Sequence, residues 1–444
     1  MSVQALSVPV APLAALVGAT TQVPLVDGST RRYANLDIAA SAPALEQVAA
    51  AVAQLTPYWS SVHRGAGYLS RLCTAVYEQS RAEVASFVGA RADDVVVFTR
   101  NTTDALGLLA SAVPGEVVVL DVEHHANLLP WQRRGDRIVR SGSSVEETLG
   151  ALQAELARRP TALLSVTGAS NVTGECLPLR RLADLAHAHG ARLAVDGAQL
   201  VPHRRVDLAA TGVDYLAFSG HKLYAPYGAG ALVGRRDWLD TAEPYLAGGG
   251  AVREVRVEAT EWTTAPARHE GGTPNVLGVA ALAAAARALG ELRDGALEAH
   301  EHALTSRLSE GLASLGIRTH RIWHDATDVV GIVTFSVPGR DPGEVAAYLS
   351  AEHGIGVRDG RFCAHPLLAR LGTAAAVRVS VGLGTSSDDV ERLLDALRTL
   401  LEDGPSWGYA RSESGWAPVP ETRALPSWLG GASLAGDAPA CEQP

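Results

Sequence analysis

Apolar runs and amphipathic segments alternate along the chain from about residue 75, and they predict strands and helices in turn. The runs "DVVVFTR", "EVVVLDVE", "TALLSVTG", "RLAVDGAQ" and "DYLAFSG" have the length and composition of buried strands. Segments with helical spacing lie among them, including "TAVYEQSRAEVASFVGA", "TTDALGLLASAV" and "LRRLADLAHAHG". Strands this apolar, separated by helices, indicate an α/β fold with a parallel or mixed sheet covered on both faces.

The pattern changes after about residue 265, which divides the chain into segments. An alanine-rich helical stretch over 275–315 precedes the strands "VVGIVTFSV" and "AVRVSVGL" and two further helices, as is typical of a smaller α+β domain. The tail carries Trp407, Trp416 and Trp428 among Pro, Gly and Ser, and we expect it to be irregular and to pack through these tryptophans, with a partner subunit as one candidate surface. The predicted organisation is a lead-in belonging to the small domain (1–32), a large α/β domain (33–265), linking helices with a small α+β domain (266–403), and the tail (404–444).

Bulk properties exclude several classes of protein. The 444 residues are 47% hydrophobic and 19% charged, which suits a large core and two domains. The net charge of −10 and the lack of any Lys/Arg cluster argue against nucleic acid as a partner. Cys73, Cys176, Cys363 and Cys441 are scattered, so we expect neither a metal site nor a disulfide framework, and we predict a cytoplasmic protein. No membrane span and no export signal are expected.

Lys222 follows a predicted strand in "FSGHKLY", where ligands gather in α/β sheets. A lone lysine is most often a surface residue, so its neighbourhood decides the interpretation. Asp196 and Gln199 lie at another strand end, in "AVDGAQL". Lysine can form a Schiff base with an aldehyde, aspartate can keep a pyridine nitrogen protonated, and glutamine can donate to the ring oxygen. These are the groups that pyridoxal 5′-phosphate (PLP) chemistry requires.

A phosphate group also needs donors, and "TRNTTDALGLLA" offers them. Asn101, Thr102 and Thr103 begin a predicted helix after a strand, where free N–H groups and hydroxyls bind phosphate. Ordinary helix capping is the structural alternative. Ser219 and His221 flank the lysine and can complete the phosphate shell.

Two further segments offer groups for a ring and for a carboxylate. His124 and His125 follow a strand in "DVEHHANLLPW", where an imidazole can stack on the pyridine ring and move protons near neutral pH. Arg378 lies within the apolar run "AVRVSVGL" and can clamp a substrate carboxylate, or form a structural salt bridge instead. Asn171 in "ASNVTGE" can bind the same carboxylate or the ring oxygen.

Together these segments resemble the fold-type I PLP enzymes of the class V aminotransferase group, and within it the Suf-type (group II) cysteine desulfurases. The matching blocks span roughly residues 33–402 and are "NLDIAASA", "SSVHRG", "TRNTTDA", "EHHANLLPWQ", "SNVTGE", "VDGAQ", "FSGHKLYAPYGAG", "GGTPN" and "RFCAHPL...VRVSVGL". The resemblance implies a large domain with a mixed, mostly parallel seven-stranded sheet, a smaller α+β domain, and a homodimer.

The resemblance also assigns roles to individual residues. It implies Lys222 as the Schiff-base lysine, Asp196 on the pyridine nitrogen, Gln199 on the ring oxygen and His124 over the ring; Thr103, Ser219 and His221 on the phosphate; Asn171 and Arg378 on the substrate carboxylate; and Thr273 of "GGTPN" on the phosphate of the neighbouring subunit. Cys363 falls where the resemblance implies a cysteine that takes sulfur as a persulfide. The family usually has two histidines before this cysteine, where this chain has Arg361 and Phe362. Arg361 and His365 are candidate cations that would favour the thiolate.

The sequence therefore predicts a PLP-dependent enzyme acting on a small amino acid, namely a cysteine desulfurase that converts L-cysteine to L-alanine and leaves a persulfide on Cys363. A sulfur-acceptor protein is a candidate partner. The alternative is an aminotransferase, C–S lyase or epimerase in which Cys363 is structural. A nucleotide-binding protein is disfavoured, because "GAGALVG" lacks the G-x-G-x-x-G spacing and leads into a strand. A non-catalytic sulfur carrier would have no need of Asp196 and Lys222 together.

Overall fold

The computed structural model describes residues 9–413 and 415–430, which divide into two compact units. The large unit comprises Ser41–Arg293 and Ile322–Val330. The small unit comprises, within the described residues, those of Met1–Ala40, Asp294–Arg321 and Gly331–Pro444. The first boundary therefore falls after residue 40, whereas the sequence analysis placed it after residue 32.

Helices and strands follow the chain in this order. The helices are α1 (Glu46–Leu55), α2 (Tyr68–Phe87), α3 (Thr102–Ala112), α4 (His125–Arg134), α5 (Val145–Arg158), α6 (Leu179–Ala188), α7 (Leu208–Thr211), α8 (Arg236–Thr241), α9 (Val276–Gly290), α10 (Ala296–Ser314), α11 (Pro342–His353), α12 (His365–Arg370) and α13 (Ser387–Glu402). The strands are β1 (Gln22–Pro24), β2 (Thr30–Arg32), β3 (Ala34–Asn35), β4 (Asp94–Thr99), β5 (Val117–Leu120), β6 (Arg137–Val139), β7 (Leu163–Thr167), β8 (Arg192–Asp196), β9 (Tyr215–Ser219), β10 (Gly230–Arg235), β11 (Val252–Val255), β12 (Thr260–Trp262), β13 (Arg318–Thr319), β14 (Ile332–Ser336), β15 (Ile355–Gly356), β16 (Arg358–Gly360), β17 (Ala376–Ser380), β18 (Gly408–Ser412) and β19 (Gly415–Val419).

The large unit is built on a sheet that contains, among the described residues, seven strands in the order β4-β10-β9-β8-β7-β5-β6. Strand β10 is antiparallel to both of its neighbours, and the pairs from β9 to β6 are all parallel. Every residue of β5, β7 and β9 is buried, as expected for strands covered on both faces. The predicted mixed, mostly parallel sheet is confirmed. Because β7, β8 and β9 are parallel neighbours, their carboxyl ends meet at one edge.

A short segment after α10, residues 322–330, returns to the large unit. Glu175, a buried residue of the large unit, holds this segment. Its carboxylate accepts hydrogen bonds from the backbone N–H groups of Ile322 (2.7 Å) and Trp323 (3.1 Å). The indole of Trp323 is also buried and donates to Thr148 Oγ1 at 2.9 Å. These contacts fix the segment and explain why it departs from the predicted continuous small domain.

The small unit is built on an antiparallel sheet with the order β13-β14-β17-β16, and β15 pairs with β3 in parallel. Helices α10, α11 and α13 supply leucines and Tyr348 to its core, together with Phe335 of β14. Helix α13 begins at a capping box in which Ser386 and Asp389 satisfy each other's backbone N–H groups. The predicted helical stretch over 275–315 is two helices, because the chain turns at Gly295, whose φ is +74°.

The segment after α13 is more regular than the sequence analysis expected. Strands β18 and β19 form an antiparallel hairpin. Glu352, near the end of α11, accepts hydrogen bonds from Ser406 N (3.0 Å), Trp407 N (3.2 Å) and the Tyr409 hydroxyl (2.8 Å). Trp416 lies against Gly343 of α11, where an added Cβ would come within 2.7 Å of the indole. Trp428, by contrast, is 80% exposed. Cys441 lies outside the described residues.

Glu352→Ala is expected to release this hairpin. The variant loses an acceptor shared by several donors, and a hydrogen bond to a charged group contributes about 1.5–3 kcal/mol. Limited proteolysis within 404–430 should therefore accelerate about tenfold or more, since ~1.4 kcal/mol is a factor of ten. The control is Glu391→Ala, which removes an ion pair with Arg307 in the same unit. Equal cleavage rates in the two variants would contradict the proposed anchoring role.

Candidate active site

The predicted acidic and basic partners come together at the carboxyl edge of the large sheet. Thr167 ends β7 and pairs with Asp196 at the end of β8, and Asp196 pairs with Ala217, two residues before the end of β9. Lys222 follows in the turn after β9. Asp196 is 4% exposed and accepts a hydrogen bond from Ala198 N at 2.9 Å. Burial raises the pKa of Asp196, and the charge of Lys222 acts in the opposite direction.

Lys222 is the only lysine among the 444 residues, and the other 37 of the 38 Lys and Arg residues are arginines. A guanidinium supplies a positive charge as well as an ammonium does, but it stays protonated and does not act as an amine nucleophile. Retention of one lysine in a chain that otherwise uses arginine therefore indicates a need for an amine at this position. The sequence analysis singled out Lys222 from its motif and missed this count.

The turn that carries Lys222 is tightly fixed. Gly220 N donates to Ala229 O at 2.8 Å, and Gly220 O accepts from both Leu223 N (2.9 Å) and Ala225 N (2.8 Å). A Cβ at Gly220 would lie 2.9 Å from Ala225 O and 3.0 Å from Ala229 O, so only glycine fits. The half-buried lysine is thus held on a rigid element next to a buried carboxylate.

Two buried hydroxyls mark the predicted phosphate cradle. Gly230 pairs with Ser219 on one side and with Thr99 on the other, and a Cβ on it would come 2.8 Å from Asn101 Cα. This close approach brings the end of β9 near the start of α3. Ser219 Oγ and Thr102 Oγ1 are both buried and, within the part of the chain that the structure describes, have no hydrogen-bond partner. Buried polar atoms are normally paired, so these hydroxyls fit an anion supplied by a ligand.

The start of α3 contributes further donors to this cradle. Asn101 caps the helix by accepting from Asp104 N at 3.0 Å, which leaves the backbone N–H groups of Thr102 and Thr103 directed away from the helix. The Thr103 side chain is exposed. The residues present therefore fit the phosphate of PLP, and capping by Asn101 is compatible with that role.

Two histidines at this edge are predicted to face the cofactor. Burial, reinforced by the charge of Lys222, lowers the pKa of His221 to about 4, so its ring is neutral at neutral pH. His124 precedes α4, and its Nδ1 accepts from Ala126 N at 3.0 Å. A neutral His124 therefore carries its proton on Nε2, and the cap fixes the direction of the ring. The ring centroids of His124 and His125 are 6.3 Å apart.

Gln199 and Asn171 lie at the same edge of the sheet. Gln199 is buried in the turn that follows Asp196, where Val201 N donates to Gly197 O at 2.9 Å. Asn171 is buried in the loop after β7, which is closed by the bridge between Ala169 and Cys176. The contacts of these two residues with a ring oxygen or a substrate carboxylate stay predictions.

Sequence reasoning missed Glu123, which connects two elements of the site. Glu123 is fully buried; its carboxylate accepts from Asn127 Nδ2 at 2.7 Å and from Thr167 N at 3.0 Å. It thereby joins the start of α4, which His124 precedes, to the end of β7. Burial raises the pKa of Glu123 well above its usual range, and the Asp196 charge adds to this rise. The available signal was an acidic residue three positions after an apolar strand in "VVVLDVEHHAN".

The segment that carries Thr273 is also held by Glu270, an acid that sequence reasoning missed and whose side chain is 8% exposed. Glu270 forms an ion pair with Arg81 at 2.7 Å, and it accepts from Phe98 N (2.7 Å) and the Tyr77 hydroxyl (3.0 Å). Three residues later, Thr273 is exposed. An exposed hydroxyl on an anchored segment is what the predicted contact with a neighbouring subunit requires.

The two remaining candidates, Arg378 and Cys363, belong to the small unit. Arg378 is buried in β17, and its guanidinium forms an ion pair with Asp37 at 3.0 Å. The structural salt bridge that the sequence analysis weighed is therefore present, and it leaves open an additional role toward a substrate. Cys363 is partly exposed, whereas Cys73 and Cys176 are buried.

Asp196→Asn is expected to lower turnover by about 10²–10⁴-fold, the usual contribution of a positioned acid–base group. Asparagine keeps the volume but cannot hold a proton on a pyridine nitrogen. The matched control is Asp214→Asn, which alters another buried aspartate of the same unit, bonded to Leu193 N at 2.9 Å and to His187. The control should lower the melting temperature with little change in kcat per folded molecule. Full kcat in Asp196→Asn with cofactor bound would refute this role.

Comparison with known proteins places the chain among characterised sequences. The profile of the family described as Aminotransferase class-V matches residues 34–393. A cysteine desulfurase from Dickeya dadantii is 36% identical over 357 residues, covering 77% of this chain and 85% of that protein. A probable cysteine desulfurase from Mycolicibacterium paratuberculosis is 35% identical over 362 residues; the match covers 79% of this chain but only 52% of that longer protein.

Solved structures agree with these relatives. The structure matches the apo cysteine desulfurase of Thermococcus onnurineus NA1 with a TM-score of 0.79 and 33% identity, covering 88% of this chain and 99% of that one. It matches a cysteine desulfurase of Escherichia coli with a TM-score of 0.74 and 34% identity, covering 83% and 95% of the two chains.

Proposed function

The chain belongs to the class-V aminotransferase family of PLP-dependent enzymes, and on this premise we propose that it is a cysteine desulfurase. The predicted fold, enzyme class and cofactor are confirmed by the family match and by the desulfurase relatives. The observation that carries desulfuration, rather than another reaction of the family, is Cys363. Among the cysteines that the structure describes, it is the one that is not buried.

The large unit supplies groups that hold a cofactor and move a proton. When bound, PLP stores the electron pair released at the substrate Cα. Lys222 would hold the cofactor aldehyde until the substrate amine displaces it, and its freed amine would then accept the Cα proton. Asp196 keeps the ring nitrogen protonated, and this ion pair offsets the burial that disfavours its carboxylate. His124, which carries its proton on Nε2 when neutral, would stack on the cofactor ring.

Three residues from different segments are proposed to bind the substrate carboxylate and to accept the sulfur. Arg378 and Asn171 bind the carboxylate, while the thiolate of Cys363 attacks the sulfur of cysteine. A sulfur–sulfur bond forms as the carbon–sulfur bond breaks, its electron pair stays on the substrate carbon, and that carbon takes a proton. The products are L-alanine and a Cys363 persulfide, which a thiol of an acceptor protein then takes over. Arg361 and His365 favour the thiolate.

A homodimer and a cytoplasmic location complete the proposal. Leu246 and Tyr68 are exposed, and Val257 of the turn between β11 and β12 is 99% exposed. These large apolar side chains are available to an interface between two copies of the chain. A second copy supplies that interface and brings Thr273 to the partner's phosphate. Sedimentation equilibrium measures the oligomeric state.

The scattered cysteines favour a reducing compartment. Among the described residues, no helix has the length and hydrophobicity needed to cross a bilayer.

The decisive experiment incubates the PLP-loaded protein with L-cysteine and a reducing agent and quantifies the products. A desulfurase yields alanine and sulfide in equal amounts. Pyruvate and ammonia with sulfide would identify a C–S lyase instead, and transfer of the amine to a keto acid would identify a transaminase. Recovery of D-cysteine would identify an epimerase. Each of these outcomes would overturn the proposal.

A further inference from the structure

Cys363 lies in a backbone turn that residues other than glycine rarely adopt. Arg361 O accepts a hydrogen bond from Ala364 N at 3.0 Å, which closes a four-residue turn. The two central residues, Phe362 and Cys363, have φ values of +55° and +51°. Positive φ at both central positions is the pattern of a type I′ turn, which asparagine and glycine favour. Backbone strain at such a position persists only where surrounding contacts hold it.

Phe362 provides such a contact, because its side chain is only 3% exposed although its neighbour Cys363 reaches the surface. On the other side of the turn, Ala364 O accepts from Leu368 N at 3.1 Å and starts α12. The turn is therefore held at two points, by a buried ring before the cysteine and by a helix after it.

The buried ring also faces Arg378. The guanidinium carbon of Arg378 lies 5.4 Å from the centroid of the Phe362 ring, within the range of a cation–π interaction. Strand β16 ends at Gly360, just before the turn, and pairs with β17 so that Arg358 is opposite Arg378. Asp37 binds the same guanidinium at 3.0 Å. Arg378 is thus held between a carboxylate and an aromatic ring.

We propose that Phe362 is a positioning residue that couples Arg378 to the turn carrying Cys363, so that one ring fixes both the carboxylate-binding cation and the sulfur-accepting thiol. This inference rests on the proposed function, because it takes Arg378 and Cys363 as the groups that meet the substrate. Groups held in place before the substrate binds lose little freedom in the reaction.

Three variants test the coupling in a Cys441→Ser background, which removes the cysteine outside the described residues. Phe362→Leu keeps an apolar side chain and removes the π face. Phe362→Tyr keeps the ring and serves as the conservative rescue. Phe335→Leu makes a similar change at a fully buried phenylalanine in the core of the same unit and controls for lost packing.

Two readouts on the PLP-loaded protein do not depend on sulfur transfer. One is the affinity for L-alanine, which carries the carboxylate, from the change in cofactor absorbance. The other is the rate at which iodoacetamide alkylates Cys363, followed on its peptide. Phe362→Leu should weaken L-alanine binding by about 3–30-fold, the range of a cation–π contact. It should also speed alkylation at least about threefold, because the released turn exposes the thiol. Phe362→Tyr should match the unaltered protein in both.

Unchanged readouts in Phe362→Leu, or equal changes in Phe335→Leu, would overturn the coupling. The coupling would also be overturned if the cofactor absorbance of the unaltered protein showed no saturable change with L-alanine, because Arg378 would then not bind this carboxylate measurably. A C–S lyase product pattern with both readouts as expected would reject the proposed function and leave the coupling intact. Alanine formation from L-cysteine with unchanged readouts would reject the coupling and leave the proposed function intact.

Discussion

Lys222→Ala is expected to lower turnover by about 10²–10⁴-fold or more, because a positioned base contributes this much. Its melting temperature should stay close to that of the unaltered protein. The amine is required to hold the cofactor and to take the Cα proton. The fold does not need it, because the hydrogen bonds that fix its turn are made by the backbone of Gly220. Alanine formation from L-cysteine and thermal melts measure the two effects, and the absorbance of the cofactor imine should disappear.

The matched control for this prediction is Lys222→Arg. Arginine keeps the positive charge next to Asp196 but offers no amine nucleophile, so this variant should be as inactive as the alanine variant. Substantial turnover in Lys222→Arg would mean that the residue acts only through its charge. Because the chain has no other lysine, no second ε-amine can substitute in either variant.

Cys363→Ser is expected to abolish alanine formation and leave PLP bound with an unchanged absorbance spectrum. Serine fits the same left-handed turn with nearly the same volume, but a hydroxyl cannot accept sulfur as a persulfide. Activity should fall at least about 10²-fold, since the step loses its nucleophile. Product analysis and cofactor absorbance on the same sample separate the two effects.

Cys176→Ser is the control for the cysteine prediction. Cys176 is buried and forms a β-bridge with Ala169 in the large unit, so its replacement should change stability more than activity. If Cys363→Ser formed alanine and sulfide at the rate of the unaltered protein, the cysteine would be structural and the sulfur would leave by another route.

The parts of the site that could be predicted are those for which strand direction alone brings residues together. Asp196 ends β8 and Lys222 follows β9, and apolar runs locate these two adjacent parallel strands in the sequence. The carboxyl ends of parallel neighbours meet at one edge, so the pair was predictable without coordinates. Ser219, which ends β9, was predictable for the same reason. Thr102 and Thr103 were predicted from the helix start that follows an apolar strand, because β4 is paired with the antiparallel strand β10 and, among the described residues, has no parallel neighbour in this sheet.

Features that depend on distant partners could not be predicted. The hairpin of β18 and β19 is held by Glu352, more than 50 residues before it, and no local pattern indicates that contact. Residues 322–330 join the large unit because Glu175 binds their backbone.

The left-handed turn at Phe362 and Cys363 was even harder to predict. Each non-glycine residue there costs about 1–2 kcal/mol. Burying Phe362 offsets about 1.5–3 kcal/mol of this cost, and no propensity scale shows that balance.

Peptide mass spectrometry of the PLP-loaded protein after one turnover with L-cysteine, without reductant, shows directly whether Cys363 takes up the sulfur. The peptide containing Cys363 should gain the mass of one sulfur atom, in equal amount to the L-alanine released, and the peptides containing Cys73 and Cys176 should be unchanged. Sulfide and pyruvate released from a protein whose Cys363 peptide keeps its original mass would contradict sulfur transfer to Cys363.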